Sequence, residues 1–174
     1  EAKQKRQKSA YFWEERNIWF SDLWDIKGTS QIIATPNAGR DRNASYPFEV
    51  PYRLGNMYSA EGDTVLDPFA GLGTTSLACM ASKRNSIGVE IDPTIAELAL
   101  KNMNATPHKL NEVVKSRLDN HLSFIDSLPN EKREKCYENK AHGFKVKTKQ
   151  ETDIKIDQIA TEVPNEHTIT CTYE

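Results

Sequence analysis

The sequence predicts an α/β fold built on a parallel sheet, and two short apolar runs carry that prediction. One run ends in Asp67, and the other, residues 87–89, ends in Glu90. Between them lie a glycine-bearing turn and a segment, 74–82, with the composition of a helix. Two parallel strands joined by a helix place both acids at the carboxyl edge of the sheet, where ligands of open α/β folds bind.

The turn between the two runs, residues 67–75, reads DPFAGLGTT. Gly71 and Gly73 allow the backbone to turn sharply and to approach a ligand closely. Thr74 and Thr75 open the following helix, whose first N–H groups favour an anion such as a carboxylate. The segment therefore predicts a nucleotide-type binding site.

The predicted ligand is S-adenosylmethionine rather than a dinucleotide. Glu90 follows the turn by about 20 residues, the spacing at which an acid accepts hydrogen bonds from ribose hydroxyls. The turn lacks G-x-G-x-x-G, and G-x-x-x-x-G-K-[ST] occurs nowhere in the chain. Asp67 and Pro68 suit a ligand with a cationic end, which S-adenosylmethionine has beside its carboxylate and ribose. The alternative is an ordinary strand, turn and helix with incidental glycines.

These residues resemble the amino-methylating DNA methyltransferases, which act on cytosine N4 or adenine N6. The family motif DPF-x-G-x-GTT is matched at 67–75, and its G-x-E strand end is matched at 88–90. An F-P-x-E/h-L-type segment that closes over the cofactor is matched by YPFEV at 46–50. The likeness is specific over roughly residues 43–100. It implies a Rossmann-like methyltransferase sheet, S-adenosylmethionine as methyl donor and double-stranded DNA as substrate, as in restriction–modification systems.

The spacing and the resemblance together give ten candidate cofactor-binding residues. Glu90 is expected to hold the ribose, and Asp67 is expected to order the turn near the methionine end. The full set is Tyr46, Pro47, Asp67, Pro68, Phe69, Gly71, Gly73, Thr74, Thr75 and Glu90.

The family's catalytic loop, [DS]-P-P-[YFW], has no counterpart here, because no two prolines are adjacent. The nearest segments, 35–37 and 67–69, lack the second proline. One permutation of the family, the beta class, places the catalytic loop before the cofactor motifs, so the chain is expected to be the C-terminal half of such an enzyme. Its start at Glu1, without Met or signal peptide, fits that expectation. We therefore assign no catalytic residue and expect a partner, an N-terminal half or a second polypeptide, that carries the loop.

Composition narrows the class of protein. The 174 residues amount to one domain, and 37% hydrophobic content with a mean hydropathy of −0.68 is low for a self-sufficient α/β domain. A net charge of −2 does not indicate a nucleic-acid binder, so any DNA footprint is local or lies outside this chain. No apolar run reaches the length of a membrane span. Three cysteines at scattered positions predict reduced thiols in the cytoplasm, and Cys79 is expected to be buried. The four histidines show no ligand spacing, so no metal site is predicted.

Residues 1–45 are expected to form an aromatic helix and a loop. The segment 10–27 holds all three tryptophans, and an apolar stripe at near-helical spacing favours core over a base-stacking platform; its members are Phe12, Trp19, Leu23 and Ile26, with Gly28 as the stop signal. The basic residues of 1–8 indicate either a solvated or frayed terminus or a phosphate-contacting arm. A strand at 31–34 and a loop with Arg40 and Arg42, solvated or phosphate-contacting, complete the region.

Residues 46–128 are expected to be the cofactor-binding half. Its predicted elements are a helix at 50–59, a strand leading to Asp67, a helix at 74–82, a strand at 85–91, a helix begun by Asp92-Pro93 and a helix at about 110–127 that Pro129 ends.

Residues 129–174 are expected to form a loop or linker, 130–142, and two or three antiparallel strands. Alternation of apolar and polar residues carries the strand prediction and is clearest in HTITCTYE at the end of the chain. Lys145, Lys147 and Lys149 would then share one face, either solvated or contacting the DNA backbone.

The leading functional hypothesis is the cofactor-binding half of a DNA amino-methyltransferase. Cytosine N4 is favoured over adenine N6 because GFKVKTKQET and SYPFEVPYRL loosely resemble the cytosine-N4 members. A catalytically silent S-adenosylmethionine-binding subunit, and a methyltransferase for RNA or a small molecule, are the alternatives.

Overall fold

A computed structural model describes residues 2–27 and 46–174. The predicted strand at 31–34, the arginine-bearing loop and the segment 35–37 lie outside the described residues. The described helices are α1 (Ala2–Lys8), α2 (Trp13–Trp19), α3 (Glu49–Tyr58), α4 (Thr74–Ala81), α5 (Pro93–Ala105), α6 (Pro107–Ser127) and α7 (Asn130–Glu134). The described strands are β1 (Thr64–Asp67), β2 (Asn85–Gly88), β3 (Tyr137–Glu138), β4 (Lys145–Val146), β5 (Ile159–Pro164) and β6 (Ile169–Tyr173).

The predicted α/β class is confirmed by the unit β1–α4–β2. The two strands pair in parallel, with Thr64 opposite Asn85 and Asp67 opposite Gly88. Strand β2 ends at Gly88, three residues before the predicted Ile91. The chain bends at Ile91, and Glu90 Oε1 accepts the Asp92 N–H at 3.0 Å. The result is a Rossmann-like unit with both strand ends at one edge.

Helix α4 packs on one face of this pair, and α3 and α6 pack against α4. The apolar side of α4, including Leu77 and Met80, packs with Tyr52 of α3, Leu110 of α6 and Ile159 of β5. Cys79 is buried in the same helix as predicted, and burial raises the pKa of its thiol to about 11. The helix that follows β2 also begins as predicted, since the Asp92 carboxylate accepts the Thr94 N–H at 2.9 Å.

The opposite face of the strand pair is apolar and uncovered by the described residues. Leu66 and Ile87 are partners in the parallel register and are 63% and 55% exposed. Val89 and Ile91 continue the same alternation and are also exposed. Parallel sheets are normally covered on both faces, so this face is one that a complete fold would bury.

The aromatic helix near the N-terminus is shorter than predicted. Phe12 and Trp19 are buried, which confirms the core interpretation for them, but Leu23 is 82% exposed. The helix α2 ends at Trp19, so Gly28 as its stop signal was wrong. The last turn tightens, with the Ser21 N–H donating to the Ile18 carbonyl, and this turns the chain away from the helical path. The basic segment before it is not frayed but forms the exposed helix α1.

The predicted loop or linker, 130–142, is ordered by long-range contacts. It contains α7 and β3, and β3 pairs with β4. Asn139 is fully buried, and its side chain donates to the carbonyls of Glu151 and Ile154 and accepts the N–H groups of Ala141 and His142. The segment is therefore a short helix, a short strand and a tight loop whose backbone is satisfied by Asn139, so the loop alternative holds in part and only the linker alternative was wrong.

The tail and α2 share a second hydrophobic core. Its buried members are Phe12, Val146 and Ile154, with Leu118 of α6 packed against them. The β5–β6 hairpin confirms the antiparallel strands predicted at the C-terminus. The prediction that Lys145, Lys147 and Lys149 share one face of a strand was wrong. Of the three, only Lys145 lies in a strand, and Lys149 begins a 3-10 turn.

No helix in 2–27 or 46–174 is long and apolar enough to cross a membrane. The same residues contain no group of three or more His, Cys, Asp or Glu side chains placed to hold a metal ion.

Candidate functional site

The carboxylate of Asp67 organises the start of the turn at 67–75. Its Oδ1 accepts the Phe69 N–H at 3.0 Å, which closes the turn on itself. Its Oδ2 accepts the Thr75 hydroxyl at 2.5 Å and the Tyr46 hydroxyl at 3.2 Å. The last residue of β1 therefore links the turn, the first turn of α4 and the segment before α3.

The Tyr46 hydroxyl is the outermost member of this network. It also lies 2.5 Å from the Thr75 hydroxyl. Partial burial raises the pKa of Tyr46, and the neighbouring Asp67 carboxylate acts in the same direction, although the Thr75 hydrogen bond opposes it. The phenol thus stays protonated and able to donate a hydrogen bond.

Glu90 holds the other side of the same turn. Its Oε2 accepts the Gly71 N–H at 3.0 Å, and its Oε1 accepts the Asp92 N–H at 3.0 Å. Each carboxylate oxygen offers two acceptor sites, so both can accept a further hydrogen bond from a ligand hydroxyl. The carboxylate is half-buried and faces a cavity.

The two glycines of the turn have different roles. Both have positive φ, 51° at Gly71 and 83° at Gly73, a region that disfavours other residues. A Cβ on Gly71 would meet no atom within 4 Å, so its exposed side is open to a ligand. A Cβ on Gly73 would lie 3.3 Å from the Ala99 Cβ. Gly73 therefore serves the packing of the turn against α5.

A cavity of about 790 Å³ runs along the outer edge of β2. It begins at Gly71, Gly73 and Glu90, and α5 and β6 form its other walls. Only these three of the ten predicted residues line it. Tyr46, Asp67 and Thr75 form the hydrogen-bonded network described above, off the cavity, so the structure separates the candidates into two groups on either side of the turn.

The remaining predicted residues lie around these two groups. Phe69 is 85% exposed at the tip of the turn, beside the exposed Pro68. Pro47 is half-buried, and Thr74 is buried at the first position of α4.

Sequence reasoning left out several residues that support the site. Ala70 donates its N–H to the Val89 carbonyl at 2.9 Å, which fixes the turn to the end of β2. Asn102 is fully buried in α5, and its amide lies 3.4 Å from the Leu72 carbonyl of the turn. Gly88, the glycine of the G-x-E pattern, was the sequence signal for the close contact between the turn and the end of β2.

Comparison with known proteins places these motifs in a family. The model of the N6/N4 DNA methylase family matches residues 1–101. The Type II methyltransferase M.MthZI of Methanothermobacter thermautotrophicus is 48% identical over 157 residues, which are 90% of this chain and 42% of that protein. M.MjaI of Methanocaldococcus jannaschii, also a Type II methyltransferase, is 53% identical over 52% of this chain and 29% of its own length. The chain thus spans less than half the length of these relatives.

Among solved structures, a DNA modification methylase of Thermus thermophilus complexed with S-adenosyl-L-methionine is 37% identical to this chain. The superposition covers 57% of this chain and 36% of that protein, with a TM-score of 0.48. The family match itself extends over more than half of the sequence. This chain belongs to the DNA methylase family of N6 and N4 amino methyltransferases, whose methyl donor is S-adenosylmethionine.

Proposed function

We propose that this chain supplies the donor-binding part of a DNA methyltransferase that methylates the exocyclic amine of a flipped base. The observation that carries the proposal is the pair of carboxylates, Asp67 and Glu90, fixed on either side of one glycine turn. Cytosine N4 is the favoured target and adenine N6 the alternative. The donor-binding part corresponds to residues 46–128, flanked by the N-terminal region 1–45 and the tail 129–174.

The side chains fit S-adenosylmethionine by the chemistry of their donors and acceptors. Glu90 offers carboxylate oxygens to the two ribose hydroxyls. The Asp67 network lies near the first turn of α4, whose N–H groups suit the ligand's carboxylate while Asp67 itself suits the ammonium. The open side of Gly71 leaves room for the ligand between these two groups. The same ten residues, Tyr46, Pro47, Asp67, Pro68, Phe69, Gly71, Gly73, Thr74, Thr75 and Glu90, form the proposed site.

The contribution of this chain to the reaction is capture and orientation. When bound, S-adenosylmethionine supplies an electrophilic methyl group on its sulfonium. The protein has little covalent work to do and accelerates such a transfer by alignment and exclusion of water. The base must leave the duplex to reach the donor, at a cost of about a few kcal/mol. The groups that grip its amine belong to the family's [DS]-P-P-[YFW] loop.

We further propose that a region carrying this loop covers the bare face of β1 and β2. Two facts support it: Leu66 and Ile87 form an exposed apolar patch on a parallel pair, and the relatives are more than twice as long as the matched segment. The region is either another part of the same polypeptide or a second subunit. The three free thiols, Cys79, Cys136 and Cys171, suit the proposed cytoplasmic location.

The patch can be tested with a charged residue and a matched control. Ile87→Lys should abolish methyl transfer by the assembled enzyme while S-adenosylmethionine binding to this chain persists. Ile18→Lys is the control, because Ile18 is equally exposed, 55%, but lies on α2. Equal activity of the two variants would contradict the docking proposal.

The reaction is tested by transfer of a radiolabelled methyl group from S-adenosylmethionine to duplex DNA, followed by nucleoside analysis. We expect label in N4-methylcytosine, and label in N6-methyladenine would select the alternative target. Donor binding without transfer, in protein that includes an S-P-P-Y or D-P-P-Y segment, would favour a silent binding subunit instead.

A further inference from the structure

Gly88 and Ala70 lie so close together that a larger residue at position 88 would not fit. A Cβ built on Gly88 lies 2.9 Å from the Ala70 Cβ and 3.8 Å from the Ser76 Oγ. Carbon atoms in contact are about 3.5–4.0 Å apart, so an alanine at 88 would have to push Ala70 away by roughly 0.6–1.1 Å. The atom that it meets belongs to a short side chain, so the backbone itself would have to move.

Backbone strain does not explain this glycine. Gly88 is absent from the residues with positive φ, whereas Gly71 and Gly73 are among them. Its backbone is ordinary strand, the last pair of the β1–β2 register opposite Asp67. The need for glycine at 88 therefore comes from the neighbouring turn and not from its own conformation.

The contact between Gly88 and Ala70 lies beside two hydrogen bonds that fix the distance between the turn and the end of β2. The Ala70 N–H donates to the Val89 carbonyl at 2.9 Å, and the Gly71 N–H donates to Glu90 Oε2 at 3.0 Å. Both bonds join consecutive residues of the turn to consecutive residues after Gly88. Moving Ala70 away from β2 by this distance would lengthen both bonds to about 3.5 Å or more, beyond ordinary hydrogen-bond length.

We infer that Gly88 is a positioning residue for the methyl-donor site: it lets Ala70 rest on β2, so that Gly71 and Glu90 are held at a fixed separation. This inference rests on the proposed function, since it assigns Glu90 and Gly71 to one ligand. Gly88 itself need not touch that ligand. Its role is exerted through the turn.

If Gly88 has this positioning role, one substitution should weaken S-adenosylmethionine binding and a second should restore it. Gly88→Ala should weaken S-adenosylmethionine binding about tenfold or more, as expected when a hydrogen bond to a charged group is lost. Ala70→Gly removes the atom that the new Cβ meets. The double variant Gly88→Ala/Ala70→Gly should therefore recover affinity to within about threefold of the wild type, because the room between turn and strand is restored. Calorimetric titration of the intact protein with S-adenosylmethionine measures all three.

A third variant controls for glycine replacement in general. Gly55→Ala lies in α3, and its Cβ would meet no atom within 4 Å, so donor affinity and melting temperature should not fall. Circular dichroism and melting temperature accompany each titration. Wild-type affinity in Gly88→Ala would overturn the inference. A binding or folding defect that Ala70→Gly fails to repair would overturn it as well.

These outcomes separate the positioning role from the proposed function. If the wild-type protein does not bind S-adenosylmethionine, the proposed function fails. If the wild type binds and Gly88→Ala binds equally well, only the positioning role fails.

Discussion

Glu90 and Glu151 each accept hydrogen bonds from two backbone N–H groups, but they lie in two very different regions. Glu90 accepts the N–H groups of Gly71 and Asp92 at the open end of the β1–β2 pair. Glu151 accepts the N–H groups of Trp13 and Thr148, at 2.8 and 2.5 Å, and also the Thr148 hydroxyl. Glu151 is only 2% exposed, whereas Glu90 is half-buried and lines a cavity.

The contrast shows how one carboxylate can serve structure and another a ligand. Around Glu151 the tail and α2 leave no room for a further partner, so its bonds contribute to stability alone. Around Glu90 the backbone partners fix the carboxylate, but its remaining acceptor sites face open space. A binding site requires a carboxylate that is held in position but still accessible, because the acceptor is then in place before the ligand arrives.

We call the surroundings of Glu151 the closed region and those of Glu90 the open region. The largest expected effect is on stability and comes from the closed region. Glu151→Ala leaves three donors without their acceptor, including the N–H of Trp13, so we expect a loss of about 3 kcal/mol or more. That corresponds to a fall in melting temperature of roughly 6–12 °C for a chain of this size. Affinity for S-adenosylmethionine, measured below the melting range, should stay unchanged. A specific loss of affinity in a stable Glu151→Ala protein would contradict the division between the two regions.

The reciprocal variant is Glu90→Ala. A hydrogen bond to a charged group is worth roughly 1.5–3 kcal/mol, so S-adenosylmethionine affinity should fall about tenfold or more. The melting temperature should change far less than in Glu151→Ala, because water reaches the N–H groups that Glu90 leaves. Calorimetric titration gives the affinity, and an unchanged dissociation constant would refute the role of Glu90.

A smaller effect concerns pH and also belongs to the closed region. The buried His121 ring is held between two acceptors, with Nδ1 2.7 Å from Glu14 Oε1 and Nε2 2.9 Å from the Lys145 carbonyl oxygen. Burial acts to lower the pKa of His121, but the hydrogen bond and charge of Glu14, aided by Glu151, outweigh it and raise the pKa above 6.5. The protonated ring donates to both acceptors.

Because the folded-state pKa is raised, this stabilisation is complete below the unfolded pKa and is lost as pH rises through the folded value. Melting temperatures from about pH 6 to about pH 9 should therefore fall more steeply for the wild type than for His121→Gln. His167→Gln is the control, since His167 is exposed, and it should keep the wild-type slope. Parallel curves for the wild type and His121→Gln would show that the ring is not charged in the fold.

The parts of the fold that the sequence predicted are those whose signals are local. Alternation, the glycine turn and the Asp92-Pro93 start lie within about 30 residues, and β1, α4, β2 and α5 follow them closely. Asp67 and Glu90 were found by the same logic, because strand ends of adjacent parallel strands meet at one edge.

The parts that the sequence did not predict depend on distant partners. Asn139 looked like a linker residue because its four hydrogen bonds reach segments up to 15 residues away. Leu23 continued a helical pattern, but α2 ends at Trp19, where the last turn tightens and redirects the chain. The contact of Gly88 with Ala70 likewise exists only once the turn has folded back on β2.

Hydrogen–deuterium exchange with and without S-adenosylmethionine observes the open and the closed region in one experiment. We expect the ligand to protect amides in 67–75 and 88–92 and to leave those in 137–157 unchanged. Absence of protection at the turn, or protection centred on the tail, would contradict the assignment of the donor site to the open end of β1 and β2.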